Sequence, residues 1–320
     1  MILKPLKNLY YKFRYDLPIW IDSKFSKPYL RIWKHKYFCK TELSKREAIL
    51  RLFELRFGYR FDFDNPVTYN EKIQWLKLYG DIESETRLAD KYLVREYVKQ
   101  CIGEQYLTRL YGVWDNPDDI DFDSLPDKFV LKANHGSGMN IIVTDKSSLD
   151  IPKTRKTLRR WLKDNFAWYF MELQYEHIPP KIIAEEYLEN RDGDLYDYKV
   201  WCFNGKAYYI MFLSERKQGL KMAFYDLQWN KQNFVYNYPL QEQEIERPDN
   251  LDEMIEKAEL LSAGFPHVRV DFYRLNDGSL KLGELTFSSY MGLCKWEPKE
   301  ADSDMGKLLD LSAVKSSEAK

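Results

Sequence analysis

His267-Val268-Arg269-Val270-Asp271-Phe272-Tyr273-Arg274-Leu275-Asn276-Asp277-Gly278-Ser279-Leu280-Lys281-Leu282-Gly283-Glu284-Leu285-Thr286-Phe287 reads as two strands joined by a turn. Asp-Gly is the favoured centre of a two-residue type I′ turn. Closed that way, the hairpin sets Asn276 against Ser279, Asp271 against Glu284 and Arg269 against Thr286. The other face pairs Val270 with Leu285 and Val268 with Phe287 and is apolar. One face is thus core and the other polar, and a one-residue slip would exchange them. Directly opposed carboxylates have Cβ atoms roughly 4.5–5.5 Å apart and repel. Two readings remove that repulsion. In one, a divalent cation joins the carboxylates to substrate phosphates, as Mg²⁺ does. In the other, Arg269 or a nearby lysine neutralises the pair. A three-residue loop would break the register on which both rest.

A second stretch, Phe129-Val130-Leu131-Lys132-Ala133-Asn134-His135-Gly136-Ser137-Gly138, is a strand ending in lysine followed at once by small residues. Glycines let backbone N–H groups approach phosphate oxygens, and the lysine adds a point charge. The chain contains neither GxxxxGK[ST] nor a GxGxxG between strand and helix, which excludes the P-loop and Rossmann readings. Alone, Gly-Ser-Gly fits an ordinary hairpin turn equally well, and His135 reads as a loop residue rather than a base.

Working outward, Thr68 and Glu71 stand at capping-box spacing and Gly80 ends the helix they open. A second helix is expected over 85–100 and another over 153–165. Asn250 and Glu253 repeat the capping-box spacing before the apolar stripe Leu251, Met254, Ile255, Ala258 and Leu261. Strands are expected at 128–132, 141–145, 182–188, 198–203, 207–213 and 222–225. Residues before about 60 read as irregular and helical, and those after 314 as disordered. The mixture predicts an α+β protein with mainly antiparallel sheets.

The 320 residues are 44% apolar, enough for one large domain or a few packed lobes. A net charge of −1 gives no whole-chain argument for nucleic-acid binding, and none is expected. Residues 1–40, however, carry ten lysines and arginines against Asp16 and Asp22, interleaved with aromatics. They read either as a basic helical cap on the main body or as a segment lying on an anionic membrane surface. No apolar run reaches the ~20 residues of a membrane span, and no signal peptide is evident. The scattered Cys39, Cys101, Cys202 and Cys294 read as reduced thiols rather than a zinc site. A cytoplasmic location is expected, with contact to the inner face of the membrane as the alternative.

Together these pieces resemble the ATP-grasp superfamily. The resemblance implies two lobes clasping ATP, with Lys132 and Gly136, Ser137 and Gly138 over the triphosphate, and Lys91 of Asp90-Lys91 as a further phosphate contact. It implies Glu185, Glu186 and Leu188 at the adenine. Asp271, Glu284 and Thr286 would be metal ligands, with Thr286 standing where the family has asparagine and giving a weaker ligand. Pro66-Val67-Thr68-Tyr69-Asn70-Glu71-Lys72-Ile73-Gln74-Trp75-Leu76-Lys77, Leu88-Ala89-Asp90-Lys91-Tyr92 and Asp197-Tyr198-Lys199 are similar to the TupA-like members, named for teichuronopeptide biosynthesis and found in bacterial surface-polysaccharide gene sets. On this resemblance, residues 1–80 form a helical region, 81–181 the lid lobe, 182–311 the C-terminal lobe and 312–320 a tail.

The implied activity is that of an ATP- and Mg²⁺-dependent carboxylate–amine ligase (Mn²⁺ is an acceptable substitute) that forms an amide through an acyl-phosphate. Arg269 and Lys199 would be its catalytic residues. The expected substrates are an amine donor, such as an amino acid, and a uronic acid or similar acid on a small molecule, glycan or lipid-linked glycan. Arg216, Lys217 and Lys221 form a basic cluster suited to an anionic acceptor, with His135 as a further candidate contact; the plainer reading is a solvated loop. A glycosyltransferase acting on the same glycan is the rival, although the lysine–glycine loop would then lack a purpose, and a phosphotransferase using the same ATP site is a second.

Overall fold

The computed structural model describes residues 41–190, 195–214, 220–236, 238–312 and 314. The basic segment 1–40, Cys39, Arg216, Lys217 and the tail from 315 lie outside them. Helix α1 (Glu42–Phe57) starts behind Thr41, and α2 (Tyr69–Tyr79) behind Thr68. The α2 capping box forms as expected: the Glu71 N–H donates to Thr68 Oγ1 (3.3 Å) and the Thr68 N–H to Glu71 Oε2 (3.2 Å). Such a cap contributes about 0.5–2 kcal/mol.

The single helix expected over 85–100 is two, α3 (Ile82–Ala89) and α4 (Val94–Cys101). Asp90 breaks it. Its Oδ1 accepts the N–H groups of Tyr92 (2.8 Å) and Leu93 (3.3 Å), offering the backbone a partner outside the helix. Lys91 is thereby held on a turn between helices.

Next come β1 (Leu110–Trp114), unforeseen in the sequence, then β2 (Phe129–Ala133), β3 (Asn140–Val143), α5 (Ile151–Leu162), the short α6 (Ala167–Phe170) and β4 (Ile182–Glu186). These four strands make one antiparallel sheet in the order β1-β4-β2-β3. Leu158 of α5 packs on its Phe129 and Leu131. Because β4 pairs inside this sheet, the chain leaves the first lobe after Glu186 rather than at 182.

A second antiparallel sheet takes β5 (Tyr196–Phe203), β6 (Lys206–Ser214) and β7 (Lys221–Tyr225). A two-residue strand β8 (Val235–Tyr236) and helix α7 (Leu251–Ser262) intervene before β9 (His267–Arg274) and β10 (Leu280–Thr286), and the sheet order is β10-β9-β5-β6-β7. Strand β11 (Trp296–Glu297), which pairs with β8, and helix α8 (Glu300–Leu308) follow. Val200, Val268 and Val270 on one face of this sheet share a core with α4 and α7. Trp201, Phe203 and Phe224 on the other share one with α1, α2 and α8. Helices α1 and α2 are therefore part of the second lobe's core. Among the described residues no helix is long and apolar enough to cross a membrane, and Cys101, Cys202 and Cys294 are free thiols.

The capping box expected at Asn250 does not form. The Asn250 amide donates to the Gly278 carbonyl (2.7 Å) and its oxygen accepts from Arg274 Nε (3.1 Å), while Glu253 takes the Tyr106 hydroxyl (2.5 Å). Tertiary partners replace the local ones.

The β9–β10 hairpin also differs from expectation at its turn. The Leu275 N–H donates to the Ser279 carbonyl (2.9 Å), so the loop holds three residues, with Gly278 at φ +82°. Near the turn every pair is therefore shifted by one, with Leu282 facing Phe272. A bulge between Leu282 and Glu284 then adds one residue and restores the expected partners: Asp271 with Glu284, Val270 with Leu285, Arg269 with Thr286. Gly283 is the inserted residue. A Cβ there would lie 3.1 Å from Tyr273 Cε2 and 3.3 Å from the Asp271 carbonyl oxygen. Gly283→Val should press on Tyr273 and the Asp271 carbonyl at the bulge and cost about 1–3 kcal/mol. A urea midpoint equal to that of the unsubstituted chain would contradict this role of the bulge.

Candidate functional site

The polar face of the second sheet is a row of alternating charges. Register places Lys199 of β5, Asp271 of β9 and Glu284 of β10 side by side across three neighbouring strands. The row is ion-paired. Arg269 Nε donates to Asp271 Oδ1 (2.7 Å) and Nη2 to Oδ2 (2.7 Å); Lys199 Nζ donates to the same Oδ2 and to Asp197 Oδ2 (2.8 Å). Arg269 Nη2 also reaches Glu284 Oε1 (3.3 Å) and Thr286 Oγ1 (3.1 Å). Burial works against the Asp271 charge, but Arg269 and Lys199 overcome it and hold the carboxyl below its ordinary value. The Asp271 side chain is 2% exposed and that of Glu284 38%. Asp197, Asp271 and Glu284 against Lys199 and Arg269 leave one surplus negative charge, and the exposed member is Glu284.

Across a cleft of about 490 Å³ the first lobe supplies Lys91, Lys132, Ser137 and Gly138. Lys132 Nζ pairs with Glu185 Oε2 (2.7 Å), and Glu185 Oε1 with Arg95 (3.2 Å). Lys91 Nζ donates to the Gly136 carbonyl (2.6 Å), and the Lys91 N–H to the Asn134 carbonyl (3.2 Å), which ties the turn between helices to the small-residue loop. Burial holds the Lys91 ammonium below the ordinary lysine value; Glu284 partly offsets this and Lys132 adds to it. Beside the cleft a smaller cavity of mixed lining lies between Leu88, Val94, Leu107 and Leu285 on one hand and Arg95, Lys132, Glu185 and Glu284 on the other.

The structure thus gathers Lys91, Lys132, Ser137, Gly138, Lys199, Arg269, Asp271, Glu284 and Thr286 around one cleft. Glu185 lines the adjoining cavity. Gly136, Glu186 and Leu188 line neither. His135 is turned away: its ring nitrogens meet Asn134 Oδ1 (3.1 Å) and the Trp161 carbonyl (3.1 Å), anchoring the loop to α5. Lys221 opens β7 opposite Ser214 and does not line the cleft either. Arg95, Asp197, Glu172, Tyr238 and Tyr290 were missed by sequence reasoning. Asp197 alone had a signal, because it shares a strand face with Lys199 two residues on.

Four cations with neighbouring backbone N–H groups fit a polyphosphate. Both Asp271 oxygens are occupied by Arg269 and Lys199, which is the neutralised reading of the acidic pair. Among the described residues no three or more His, Cys, Asp or Glu side chains are placed to hold a metal ion. A divalent ion carried by phosphates needs only one or two carboxylates, and Glu284 presents the surplus charge.

Asp271→Asn should destabilise the fold by about 3 kcal/mol or more, because two buried cations lose their shared anion. Glu284→Gln, on a part-exposed side chain, should change stability by less than about 1 kcal/mol. Chemical denaturation reads both, and equal losses would contradict the division.

A family model described as TupA-like ATPgrasp matches residues 71–310. Among solved structures the chain is similar to N5-carboxyaminoimidazole synthetase from Staphylococcus aureus (15% identity, 62% of this chain and 44% of that one, TM-score 0.37). It is similar also to the ATP-grasp ligase PsnB complexed with a phosphomimetic variant of its minimal precursor, Mg and ADP (12%, 77% and 65%, TM-score 0.42). A third is N5-carboxyaminoimidazole synthase from Aspergillus clavatus in complex with ADP and its ribonucleotide (13%, 76% and 56%, TM-score 0.39). The chain spans less than two thirds of the length of each. No curated protein matches it.

Proposed function

This chain belongs to the TupA-like ATP-grasp family, and from that premise we propose that it is an ATP-dependent carboxylate–amine ligase. The observation that carries the reading is the cleft itself, where Lys91 and Lys132 of one lobe face Lys199, Arg269 and Glu284 of the other. In this reading an acid's carboxylate oxygen attacks the γ-phosphorus and displaces ADP, giving an acyl-phosphate. An amine nitrogen then attacks the carbonyl carbon; phosphate leaves with the C–O bonding pair and takes up the proton that the amine loses. Lys91, Lys132 and Lys199 hold the phosphates, and Arg269 offsets charge on the transferring group. The adjoining cavity, where Leu88, Val94, Leu107 and Leu285 stand beside Glu185, is proposed for the adenine. Magnesium carried by the phosphates and held by Glu284 would offset phosphate charge, since Arg269 and Lys199 take both Asp271 oxygens. The proposed acid is a uronic or similar acid of a bacterial surface polysaccharide, and the amine that of an amino acid.

ADP should appear only when acid and amine are both present, and Glu284→Gln should lower that rate about 100-fold or more. Release of UDP from a sugar nucleotide, without ADP, would contradict the reading. A second expectation concerns pH. Phosphate favours the charged Lys91 ammonium, which the free protein holds below its ordinary value. Nucleotide binding should therefore take up a proton where free Lys91 loses its charge, and affinity should fall as pH rises through that titration. Calorimetry in buffers of different ionisation enthalpy measures the uptake, and Lys91→Met should abolish it.

A further inference from the structure

The signature helix α2 contacts no part of the cleft directly, yet its polar residues converge on one loop beside it. Gln74 Nε2 donates to the carbonyls of Met291 (2.9 Å) and Gly292 (2.7 Å). Lys77, 2% exposed, donates to the Met291 carbonyl (2.7 Å), the Phe170 carbonyl (2.9 Å) and Gln74 Oε1 (2.9 Å). Asn70 Nδ2 takes the Cys294 carbonyl (2.9 Å), and Arg56 of α1 the Leu293 carbonyl (2.8 Å). Four successive carbonyls are thus held by side chains.

The held segment is strained. Tyr290, Met291 and Gly292 have φ of +46°, +62° and +58°, and left-handed non-glycine residues cost on the order of 1–3 kcal/mol each. The strained segment brings Tyr290 and Met291 to the cleft. The Tyr290 ring lies 5.6 Å from the Arg269 guanidinium and edge-on to Tyr238 at 5.8 Å. Of the residues lining the cleft, Leu213, Leu220 and Tyr238 lie toward the β6–β7 edge of the sheet, while Lys91 and Lys132 lie with Glu284 of β10 at the other edge. Arg269 stands between, and its Nη1 has one long contact, to Ser289 Oγ at 3.4 Å.

We propose that the Tyr238–Tyr290 end is the acceptor subsite, a platform for the ring of a sugar acid, and that Gln74 and Lys77 are positioning residues holding its floor. The inference rests on the ligase reading. Phenols present an apolar face to the C–H face of a pyranose and a hydroxyl to its polar edge. A ring seated there would turn its carboxylate toward Arg269 Nη1 and the phosphates beyond it. In the ligase reading a nucleotide has no need of this end, because the phosphates take the lysines and the base the adjoining cavity.

The probe is D-glucuronate, titrated calorimetrically into protein loaded with a non-hydrolysable ATP analogue and Mg²⁺. Saturable binding is expected, weakened about tenfold or more by Tyr290→Ala and largely retained by Tyr290→Phe. Lys77→Met should weaken it similarly while the affinity for the ATP analogue stays within about twofold, a split that general loss of structure would not produce. Analogue binding without glucuronate binding, or a Tyr290→Ala variant that binds glucuronate as the parent does, overturns the subsite alone. Failure of the parent protein to bind the analogue overturns the ligase reading beneath it.

Discussion

The buried pairing of Arg269 and Lys199 with Asp271 governs the second lobe's active face. Two cations and a carboxylate, all on one sheet face, are tolerable out of water only because the carboxylate meets both cations at hydrogen-bond distance. That demand fixes the register of β5 against β9. It also leaves Arg269 and Lys199 pre-positioned at the cleft wall, with Glu284 as the carboxylate that still faces solvent. The first lobe supplies the complementary part, and Asp90 is what makes it possible. By breaking the helix it puts Lys91 on a turn bonded to the small-residue loop.

The hairpin shows how much of this was legible. Alternation of apolar and polar residues correctly separated the Val268 and Val270 face from the Arg269 and Asp271 face. Asp-Gly suggested the wrong loop length, yet Asp271 still meets Glu284, because Gly283 returns the residue that the longer loop displaced. Only the demand that both Leu282 and Leu285 reach the core could have revealed the bulge, and that demand depends on tertiary packing. Likewise Asp90 looked like an interior helix residue, and Asn250 with Glu253 looked like a cap. Both outcomes were decided by partners distant in sequence, or by a side-chain bond that competes with the helix.

The residues missed share a cause. Tyr238 and Tyr290 reach the cleft from segments with no periodic pattern, and Glu172 and Arg95 act through partners that only the fold brings near. His135 illustrates the opposite failure: a titratable group in a promising loop, spent on holding that loop to α5. The α2 segment, legible as a signature but not as a function, acquires a physical role. Its amides and ammoniums satisfy the backbone of the loop that carries Tyr290.

In the proposed reaction the cleft transfers a phosphoryl group from ATP to a carboxylate. The most direct test uses an acid labelled with oxygen-18 in the carboxylate, ATP, Mg²⁺ and the amine, with the released phosphate read by phosphorus NMR. Passage through an acyl-phosphate predicts that the phosphate carries an oxygen-18 taken from the acid. Amide formed with unlabelled phosphate, or no phosphate release at all, would contradict the account.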